Sequence, residues 1–381
     1  MKSDRRIVRL PMVVGGLAIA LTLAACGSST SSESTPAAAS EAPAASAPAA
    51  APEAPAASSA PAAATGIDVG TGLITPINTT DIAYFIQAGE TFSYSLAQEK
   101  GALDAGKDLG VNVDTVYMNL DPAQELAGFQ SALTNGKYGG IIIQPLTAAL
   151  CKQMAEEAVK YQVLIEVVGN VACGQGSASG DALWSPGTMN YMGGTNGVDG
   201  ILGLLDSAYE LSPGPQKVML AMGVEGHGSV VAWQDAWKQW QPQHPDWELV
   251  SEVFTDFTTP GSFSTVQNAL QGNPEVTVIF SPYVDITAGV AKAIEAQGLQ
   301  DQIDLYDNGG GSKVSVDLVK SGKQKGTLPT YPYSLGYQGV KVMVDAFNGI
   351  QPEKFIPGDG NPDASLRALT KDDMGAFVPQ W

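Results

Sequence analysis

The chain has 381 residues, of which 15% are charged, and its 39 acidic residues outnumber its 20 basic ones. The formal net charge of −19 argues against nucleic acid and anionic lipid as partners, because both repel an acidic surface. A chain of this length has room for a large core divided between two lobes.

The first 25 residues have the layout of a secretory signal peptide. Three arginines, Arg5, Arg6 and Arg9, precede an apolar run at residues 13–23. That run is too short to span about 30 Å of hydrocarbon comfortably. It ends in Leu-Ala-Ala-Cys, which resembles the lipobox of bacterial lipoproteins. The resemblance implies that Cys26 is lipidated and holds an extracytoplasmic protein to the cell membrane. The alternative is a plain cleaved signal in which this cysteine is incidental.

A low-complexity segment follows the signal peptide. Residues 27–65 consist almost entirely of Ser, Ala, Pro and Glu and contain no aromatic residue. Such a composition cannot bury enough surface to offset the entropy of ordering the chain. We therefore expect residues 26–67 to be a disordered tether, and a coil of about 40 residues averages roughly 35 Å end to end.

From residue 81 onward, strand-like and helix-like segments alternate. The first series predicts strands at 81–87, 111–118, 139–144 and 163–168 and helices at 92–109, 122–134 and 148–161. The second predicts strands at 217–222, 249–254, 276–280 and 303–306 and helices at 229–240, 263–271, 285–297 and 313–321. Unbroken apolar strands separated by helices are typical of parallel sheets covered on both faces. The pattern predicts an α/β fold with two doubly wound parallel-sheet lobes and a ligand site beyond the carboxyl ends of the strands.

Two cysteines remain once Cys26 is set aside. In an oxidising compartment, Cys151 and Cys173 are expected to form one disulfide. The closed loop of about 23 residues would contribute roughly 3 kcal/mol in the chain-entropy description. Two free thiols are the alternative, because sequence spacing does not show that the two side chains meet.

Several segments in a fixed order carry a family resemblance. The sequences are FSYSL at 92–96, NLDPAQELAGFQSALTNGKY at 119–138, IIIQP at 141–145, LVKSGK at 318–323 and YQGV at 337–340. Together they resemble type I periplasmic sugar-binding proteins of the ribose- and galactose-binding class, which serve ABC importers. The resemblance implies an ABC transporter permease as partner and a small-molecule ligand. A monomer suits a hinged trap of this kind, because both of its lobes must move.

The same resemblance implies how the chain is divided. Hinge strands are expected near Gly194, Thr330 and Gly358, with a helix at 334–348 returning to lobe one. Residues 68–194 with 331–358 would then form lobe one, and residues 195–330 with 359–381 would form lobe two. A periplasmic-binding-protein type I fold with a three-strand hinge follows from this division.

The resemblance also implies candidate ligand contacts between the lobes. Phe92 falls where the family stacks an aromatic ring on a sugar, and Asn170 lies near a charged pair of the family whose charges are missing here. Val231 or Trp233 occupies the region of a ligand-binding arginine of the family, and Tyr283 stands where the family usually has an asparagine, so aromatic side chains replace several polar ones. The full set of candidate ligand-binding residues is Phe92, Glu90, Asn170, His227, Trp233, Tyr283, Asp285, Asp307, Asn308, Thr330 and Tyr331. This exchange leaves two ligand classes open: a sugar or sugar-like compound, and a more aromatic or apolar molecule.

Three of these candidates also have a structural interpretation. Trp233 shares a helical stripe with Trp237 and Trp240, a pattern typical of core residues. His227 lies in a Gly-rich turn, where a solvated histidine is common. Asp285 could instead cap the helix that follows it.

Catalysis finds little support in the sequence. The chain contains only two histidines, His227 and His244, and neither a paired-histidine zinc motif nor a Gly-x-Ser-x-Gly elbow. Residues 359–363 begin like a calcium loop but lack its glycine and its terminal glutamate. We therefore predict a binding protein with no cofactor and no metal. A two-lobed enzyme and a sensor that presents its ligand to a membrane kinase are the rival classes, and the sequence does not separate sensing from import.

Overall fold

The computed structural model describes residues 66–74 and 79–381. The predicted signal peptide, Cys26 and nearly all of the predicted tether lie outside these residues. Within the described part of the chain, no helix is both long enough and apolar enough to cross a membrane.

Thirteen strands and nine α-helices make up the described residues. The strands are β1 (Ile67–Asp68), β2 (Leu73–Ile74), β3 (Ile82–Ile86), β4 (Val113–Tyr117), β5 (Gly140–Ile143), β6 (Leu164–Gly169), β7 (Asn190–Gly193), β8 (Gln216–Met222), β9 (Trp247–Phe254), β10 (Val278–Ser281), β11 (Asp304–Gly310), β12 (Gly326–Pro329) and β13 (Phe355–Pro357). The helices are α1 (Ser93–Leu109), α2 (Pro122–Thr134), α3 (Cys151–Tyr161), α4 (Val198–Leu211), α5 (Gly228–Trp240), α6 (Thr259–Gly272), α7 (Val284–Gln297), α8 (Lys313–Lys320) and α9 (Pro332–Phe347).

The strands form two separate parallel sheets and one small antiparallel pair. The first sheet has the order β4-β3-β5-β6-β7-β13, and the second has the order β9-β8-β10-β11-β12. Every pairing within these two sheets is parallel. In both sheets the chain order reverses beside the first strand, so each has the switch point expected of a doubly wound fold. The α/β fold predicted from the sequence is therefore confirmed.

We call the first sheet with α1, α2, α3 and α9 lobe one, and the second sheet with α4 to α8 lobe two. Lobe one has a single apolar core, in which the strand residues Ile82, Ile142 and Ile165 are fully buried. Lobe two has two main clusters, one on each side of its sheet. Strands buried on both faces explain why the sequence shows unbroken apolar runs rather than alternation.

Helices α1 and α9 pack unusually close together in lobe one. A Cβ atom added to Gly101 would lie 2.1 Å from the carbonyl oxygen of Tyr333, and one added to Gly336 would lie 2.1 Å from that of Gln98. Glycine is therefore required at both positions by the approach of the two backbones. This contact fixes α1, whose first turns carry side chains of the cavity described below.

The chain passes between the two sheets three times. It leaves β7 at Gly194 to enter α4, leaves β12 at Thr330 to enter α9, and leaves β13 at Gly358 to reach lobe two again. On this last passage Leu369 pairs with Thr327 of β12. These are the three positions that the resemblance implied. The exact lobe boundaries given from the sequence stay predictions.

The sequence Asp121-Pro122-Ala123-Gln124 predicts a helix start in which Asp121 is the N-cap and Gln124 closes a capping box. Asp121 caps α2 as expected and accepts hydrogen bonds from the backbone N–H groups of Ala123 and Gln124 at 2.8 and 3.4 Å. The capping box is not formed, because the backbone N–H of Asp121 already donates to the carbonyl oxygen of Met118 at 2.9 Å. The Nε2 of Gln124 instead donates to the Asp121 carboxylate at 3.0 Å.

Candidate functional site

A cavity of about 570 Å³, including its opening, lies at the carboxyl ends of the strands of both lobes. From lobe one it is lined by residues that follow β3, β5 and β6 and by the first turns of α1. From lobe two it is lined by residues that follow β8, β9 and β10. The lining residues are Gln87, Ala88, Phe92, Tyr94, Ser95, Gln98, Leu120, Gln144, Asn170, Asn196, His227, Ser229, Phe257, Pro282 and Tyr283. This is the place where doubly wound sheets bind ligands.

Carboxamide side chains dominate the part contributed by lobe one. Gln87 follows β3 and Asn170 follows β6, and both donate to the carbonyl oxygen of Pro145, at 2.7 and 3.0 Å respectively. The shared acceptor fixes both amide groups at the rim of the first sheet. Each therefore presents its oxygen as an acceptor in a set orientation.

Gln98 is the deepest of these carboxamides. It is fully buried, and its Nε2 donates to the hydroxyl of Tyr84 and to Oε1 of Gln144, both at 3.1 Å. Its own Oε1 is buried and makes no hydrogen bond with any described residue. Leaving a buried acceptor unpaired costs about 1–3 kcal/mol. A ligand that donates a hydrogen bond to this oxygen would recover that cost.

Aromatic rings form a continuous row along lobe two, which we call the aromatic wall. His227 meets Phe257 at 5.0 Å between ring centroids, and Phe257 meets Tyr283 at 6.0 Å, both edge to face. Tyr283 then stacks on Trp381 at 5.9 Å, and Trp381 meets Tyr94 at 5.5 Å. The aromatic wall thus consists of His227, Phe257, Tyr283, Trp381 and Tyr94, and its last member belongs to lobe one.

His227 enters this wall as a neutral ring. Its Nδ1 lies 2.9 Å from the hydroxyl oxygen of Ser229 and 3.3 Å from the Ser229 backbone nitrogen, so Ser229 supplies the partners of Nδ1. The residue as a whole is partly exposed, but Nε2 is buried and has no partner among the described residues. Burial lowers the pKa of His227 to about 4. The ring is therefore uncharged at neutral pH, and its unpaired Nε2 belongs to a residue that lines the cavity.

Phe257 is held in an unusual backbone conformation. Its φ is +61°, in the left-handed region that non-glycine residues rarely adopt. Its ring lies over Gly223, where an added Cβ would come within 2.0 Å of it. Leu120, on the opposite side of the cleft, also has a left-handed φ of +55°. Such strain costs on the order of 1–3 kcal/mol per residue and is concentrated at functional sites.

Two tyrosines whose hydroxyls are buried also line the cavity, together with the polar side chains of Ser95, Asn196 and Ser229. The hydroxyls of Tyr94 and Tyr283 make no hydrogen bond of standard geometry with described residues, although Gln144 and Ser93, respectively, lie close enough to interact electrostatically. Burial is the largest cause of the raised pKa of both groups. Both hydroxyls stay protonated and can donate or accept.

No side chain that lines this cavity, among the residues that the structure describes, carries a charge at neutral pH. The nearest carboxyl groups lie behind the lining. Asp285 interacts with Tyr283, and burial raises its pKa. Asp359 is buried near Tyr94, and burial raises its pKa as well. The cavity is therefore electrically neutral and partly apolar.

Four of the eleven candidate ligand-binding residues line the cavity: Phe92, Asn170, His227 and Tyr283. Phe92 extends from lobe one and packs against the core of lobe two. The structure thus brings together one candidate at the start of α1 and three that follow strands β6, β8 and β10.

Three candidates lie inside lobe two instead. Trp233 is fully buried in its core, and its Nε1 donates to Oδ1 of Asn308 at 2.8 Å. Asp307 is also fully buried, and it accepts hydrogen bonds from Thr287 and Thr327. Burial raises the pKa of Asp307 to about 6. These polar groups satisfy one another, and none of the three residues lines the cavity.

The remaining candidates lie beside the cavity or outside it. Glu90 is exposed, and Thr330 donates to the carbonyl oxygen of Gly310 at 3.0 Å at the second passage between the sheets. Tyr331 is buried, and its backbone N–H donates to Asp359 at 3.2 Å. Asp285 is not the N-cap of α7, because that helix begins after Tyr283 and Asp285 lies in its first turn.

Several lining residues were not anticipated from the sequence. Gln87 and Gln144 each follow a buried strand directly, so their positions at strand ends carried a usable signal. Gln98 is a buried polar residue in a helix, and Phe257 lies three residues beyond β9; neither had a local signal.

Cys151 and Cys173 form a disulfide, with 2.07 Å between their sulfur atoms. The loop that follows reaches across the cleft. Ser177 Oγ donates to the carboxylate of Asp235 in α5 at 2.9 Å. A second bridge runs from the backbone N–H of Gly228 to the carbonyl oxygen of Leu146 at 3.2 Å. The two lobes are therefore in direct contact beside the cavity.

Comparison with known proteins places these features in a family. The sequence model of the periplasmic binding protein domain matches residues 77–351. The D-allose-binding periplasmic protein of Escherichia coli K12 is 25% identical over 272 residues, which cover 70% of this chain and 84% of that protein.

Solved structures show the same fold. A carbohydrate-transporter solute-binding protein from Agrobacterium radiobacter, in complex with D-arabinose, has a TM-score of 0.64 and 21% identity, and the match covers 79% of this chain and 97% of that one. An ABC-transporter solute-binding protein from Bacillus halodurans C-125 with bound myo-inositol has a TM-score of 0.66 and 16% identity, covering 80% and 99%. The chain belongs to the periplasmic binding protein family and has its type I fold, so it is a solute-binding protein and not an enzyme.

Proposed function

We propose that this chain is an extracytoplasmic solute-binding lipoprotein that captures a small uncharged molecule between its lobes and delivers it to an ABC importer. The observation that supports capture most directly is the cavity itself. It lies where both sheets end, and it holds unpaired buried groups at Gln98 Oε1 and His227 Nε2. Ligand groups at these two atoms would remove two desolvation costs of about 1–3 kcal/mol each.

The ligand class to test first is a sugar or sugar-like compound. The E. coli relative is named for D-allose, and the two solved structures hold D-arabinose and myo-inositol. Phe92 lines the cavity from lobe one and offers a ring face on which a sugar can stack. A more aromatic ligand is the second candidate, because the aromatic wall offers more ring surface than hydroxyl partners.

The proposed mechanism is a hinged trap. The ligand first occupies one lobe, the three interlobe passages rotate, and the second lobe supplies the remaining contacts. If the empty protein favours an open form by about 99:1, the ligand must prefer the closed form by roughly 5.5 kcal/mol to invert that ratio. The hydrogen bonds from Ser177 to Asp235 and from Gly228 to Leu146 join the two lobes in this structure, and they would break when the cleft opens.

Binding and import are tested separately. The full chain, purified in mild detergent, is screened by thermal shift and then by calorimetry against sugars, polyols and uncharged ring compounds. A saturable 1:1 complex supports capture, and a folded protein that binds none of these classes contradicts it. Uptake of the labelled ligand by cells that lack the chain then decides delivery: uptake should fall, whereas undiminished uptake with a lost transcriptional response would favour a sensor.

The anchor has its own test. Cys26→Ser should release the protein from the membrane fraction into the medium or the periplasm, because one acyl-bearing thiol is the proposed attachment. Mass spectrometry of the wild-type N-terminal peptide should show acyl chains on Cys26. A variant that stays bound to membranes as firmly as the wild type would contradict lipid anchoring through this residue.

A further inference from the structure

The two lobes offer different chemistry to whatever occupies the cavity. Lobe one presents mainly carboxamides, and lobe two presents mainly ring faces. The carboxamides of lobe one are Gln87, Gln98, Gln144 and Asn170, and the rings of lobe two are His227, Phe257 and Tyr283. Ser229 of lobe two adds one hydroxyl, and Asn196, in the passage from β7 to α4, adds one further carboxamide. The aromatic residues that lobe one does contribute, Phe92 and Tyr94, reach toward lobe two: the first packs on its core and the second on Trp381. A ligand between the lobes therefore meets hydrogen-bonding groups on one side and ring faces on the other.

The charge of the cavity restricts the ligand further. No described lining side chain is ionised, and His227 is kept neutral by burial. An ion moved from water into such a site loses its hydration without gaining a counter-charge, which costs several kcal/mol. The carboxyls of Asp285 and Asp359 behind the lining would repel an anion, and burial raises the pKa of both, which weakens the negative charge that they could offer a cation. The cavity thus favours a neutral molecule.

We propose that the ligand is an uncharged, planar ring compound that carries hydrogen-bonding groups along one edge, such as a cyclic amide or a phenol, rather than a polyhydroxylated sugar. This inference rests on the proposed capture of a small molecule in the same cavity. The polar edge of the ring faces Gln98 and Gln144, and its flat face lies against Phe257 and Tyr283.

The physical argument against a sugar is that its hydroxyl groups are distributed all around the ring. Each hydroxyl that faces a ring carbon of the aromatic wall would lose water without a replacement partner, at about 1–3 kcal/mol, because the unpaired polar atoms of the wall's cavity-lining members are His227 Nε2 and the hydroxyls of Tyr94 and Tyr283. Ionised carboxylates and guanidinium groups, which bind hydroxyls most strongly, do not line the cavity in the described residues. A planar ring loses no such partner and gains about 0.5–1.5 kcal/mol per aromatic pair beyond its buried area.

A matched series of ligands tests the three parts of the proposal. Calorimetry on the full chain would compare benzamide and thymine with cyclohexanecarboxamide, which keeps the amide but loses planarity. Benzoate and benzylammonium keep the ring but add a charge, and D-allose and myo-inositol represent the sugar class. We expect benzamide or thymine to bind at least about tenfold more tightly than each matched compound, which corresponds to about 1.4 kcal/mol.

The possible results separate this inference from the proposed function. A sugar, polyol or saturated amide that binds more tightly than the planar compounds overturns the inference and leaves solute capture intact. An ionised aromatic that binds most tightly also overturns it. If no compound binds when each is tested up to about 10 mM, both the inference and the proposed function fail. A Kd above this limit corresponds to less than about 3 kcal/mol of binding free energy.

Two variants locate the recognition on the two lobes. Phe257→Leu keeps an apolar side chain but removes a ring face. It should therefore reduce the affinity for benzamide about tenfold and change the affinity for cyclohexanecarboxamide little. Gln98→Met removes the deep acceptor and should weaken both amides alike. Trp240→Phe, in the core of lobe two, is the matched control and should change neither affinity. Circular dichroism confirms folding of each variant, and equal losses of both amides in Phe257→Leu would contradict the assignment of the ring face.

Discussion

Trp381 stacks on Tyr283, with ring centroids 5.9 Å apart and ring planes 18° from parallel. The indole also contacts the ring of Tyr94, with ring centroids 5.5 Å apart and ring planes at 89° to each other. Tyr94 belongs to lobe one and Tyr283 to lobe two, and both line the cavity. One indole therefore supports a cavity residue from each lobe.

The segment that carries this indole is fastened on both sides of the cleft. The carbonyl oxygen of Trp381 accepts from the backbone N–H of Lys313 in lobe two at 2.9 Å. The neighbouring Gln380 accepts from the backbone N–H of Ser334 in lobe one at 3.1 Å and donates back to its hydroxyl at 2.7 Å. We infer that Trp381 sets the spacing of the two tyrosines in the ligand-bound form.

Trp381→Ala should weaken ligand binding about tenfold, because both tyrosines lose the ring that positions them and each aromatic pair is worth about 0.5–1.5 kcal/mol. Trp381→Phe keeps a ring and should recover most of the affinity. Calorimetry with the best ligand from the screen measures both. Val378→Ala, at a position 78% exposed in the same segment, is the control. Wild-type affinity in Trp381→Ala would show that the indole has no positioning role.

Substitution of Phe92 by alanine should affect ligand affinity, whereas substitution of Trp240 by alanine should affect the stability of the fold. Phe92 lines the cavity, so its loss should reduce affinity about tenfold with a small effect on stability. Trp240 is buried in lobe two, stacks on His244 at 3.8 Å and donates to Asp206 at 2.7 Å. Its loss should destabilise the fold by about 3–5 kcal/mol.

Urea unfolding and calorimetry on the same two variants separate these effects. Phe92→Ala should shift the binding isotherm and leave the unfolding midpoint nearly unchanged, and Trp240→Ala should do the reverse. Equal losses of affinity in the two variants would contradict the placement of the ligand beside Phe92.

Most helices and strands could be predicted from the sequence because their signals are local. Asp121-Pro122 marks the start of α2, and apolar runs mark the strands of both sheets. Helix α4 was missed because Gly200 and Gly203 interrupt it and weaken its helical pattern. The structure keeps glycine there for packing, since a Cβ at Gly203 would lie 1.9 Å from the carbonyl oxygen of Leu366. The short strands β7, β12 and β13 depend on pairing with distant segments, which no local pattern reports.

The candidate ligand-binding residues likewise divide into those that a sequence pattern could place and those that depend on packing. Asn170 was a candidate through the family resemblance and Tyr283 because it follows a buried strand, and both line the cavity. Trp233 in α5 and Asn308 in β11 were candidates as well, but their side chains bond to each other inside lobe two at 2.8 Å. Which way such a side chain points depends on the packing of a helix on a sheet. Trp381 was missed because about a hundred residues of chain separate it from Tyr283, and no local sequence pattern reports so distant a contact.

The hydrogen bond between Ser177 and Asp235 predicts a measurable effect on ligand release. It joins the loop after the disulfide to α5, and both groups are accessible to solvent. Its loss in Ser177→Ala should open the cleft more often and raise the dissociation rate about two- to fivefold, as expected for a hydrogen bond worth about 0.5–1 kcal/mol. Stopped-flow fluorescence measures the rate. Gln234→Ala, which removes a bond to Glu252 within lobe two, is the control. An unchanged dissociation rate in Ser177→Ala would contradict a role in closure.

Glu125 predicts a pH-dependent stability that one substitution should remove. Its side chain is buried in α2 and accepts from the backbone N–H of Leu146 at 2.7 Å, while the Leu146 carbonyl oxygen accepts from Gly228 of lobe two. Burial raises the pKa of Glu125 to about 7 from its usual value near 4.5. Since the folded state holds this proton more tightly than the unfolded state, the stabilisation is complete below about pH 4.5 and is lost as the pH rises to about 7.

Glu125→Gln keeps an acceptor for Leu146 and removes the titration. The variant should therefore gain stability relative to the wild type as the pH rises from about 4.5 to 7, by at most about 1.4 kcal/mol per pH unit. Urea unfolding of both proteins across this range measures the difference, and the contributions of Asp307 and His227 cancel because both residues are unchanged. A difference that stays constant between pH 4.5 and 8 would mean that Glu125 is already ionised in the folded protein. In that case the contact between Leu146 and Gly228 would rest on a carboxylate, and closure of the cleft would not depend on its protonation.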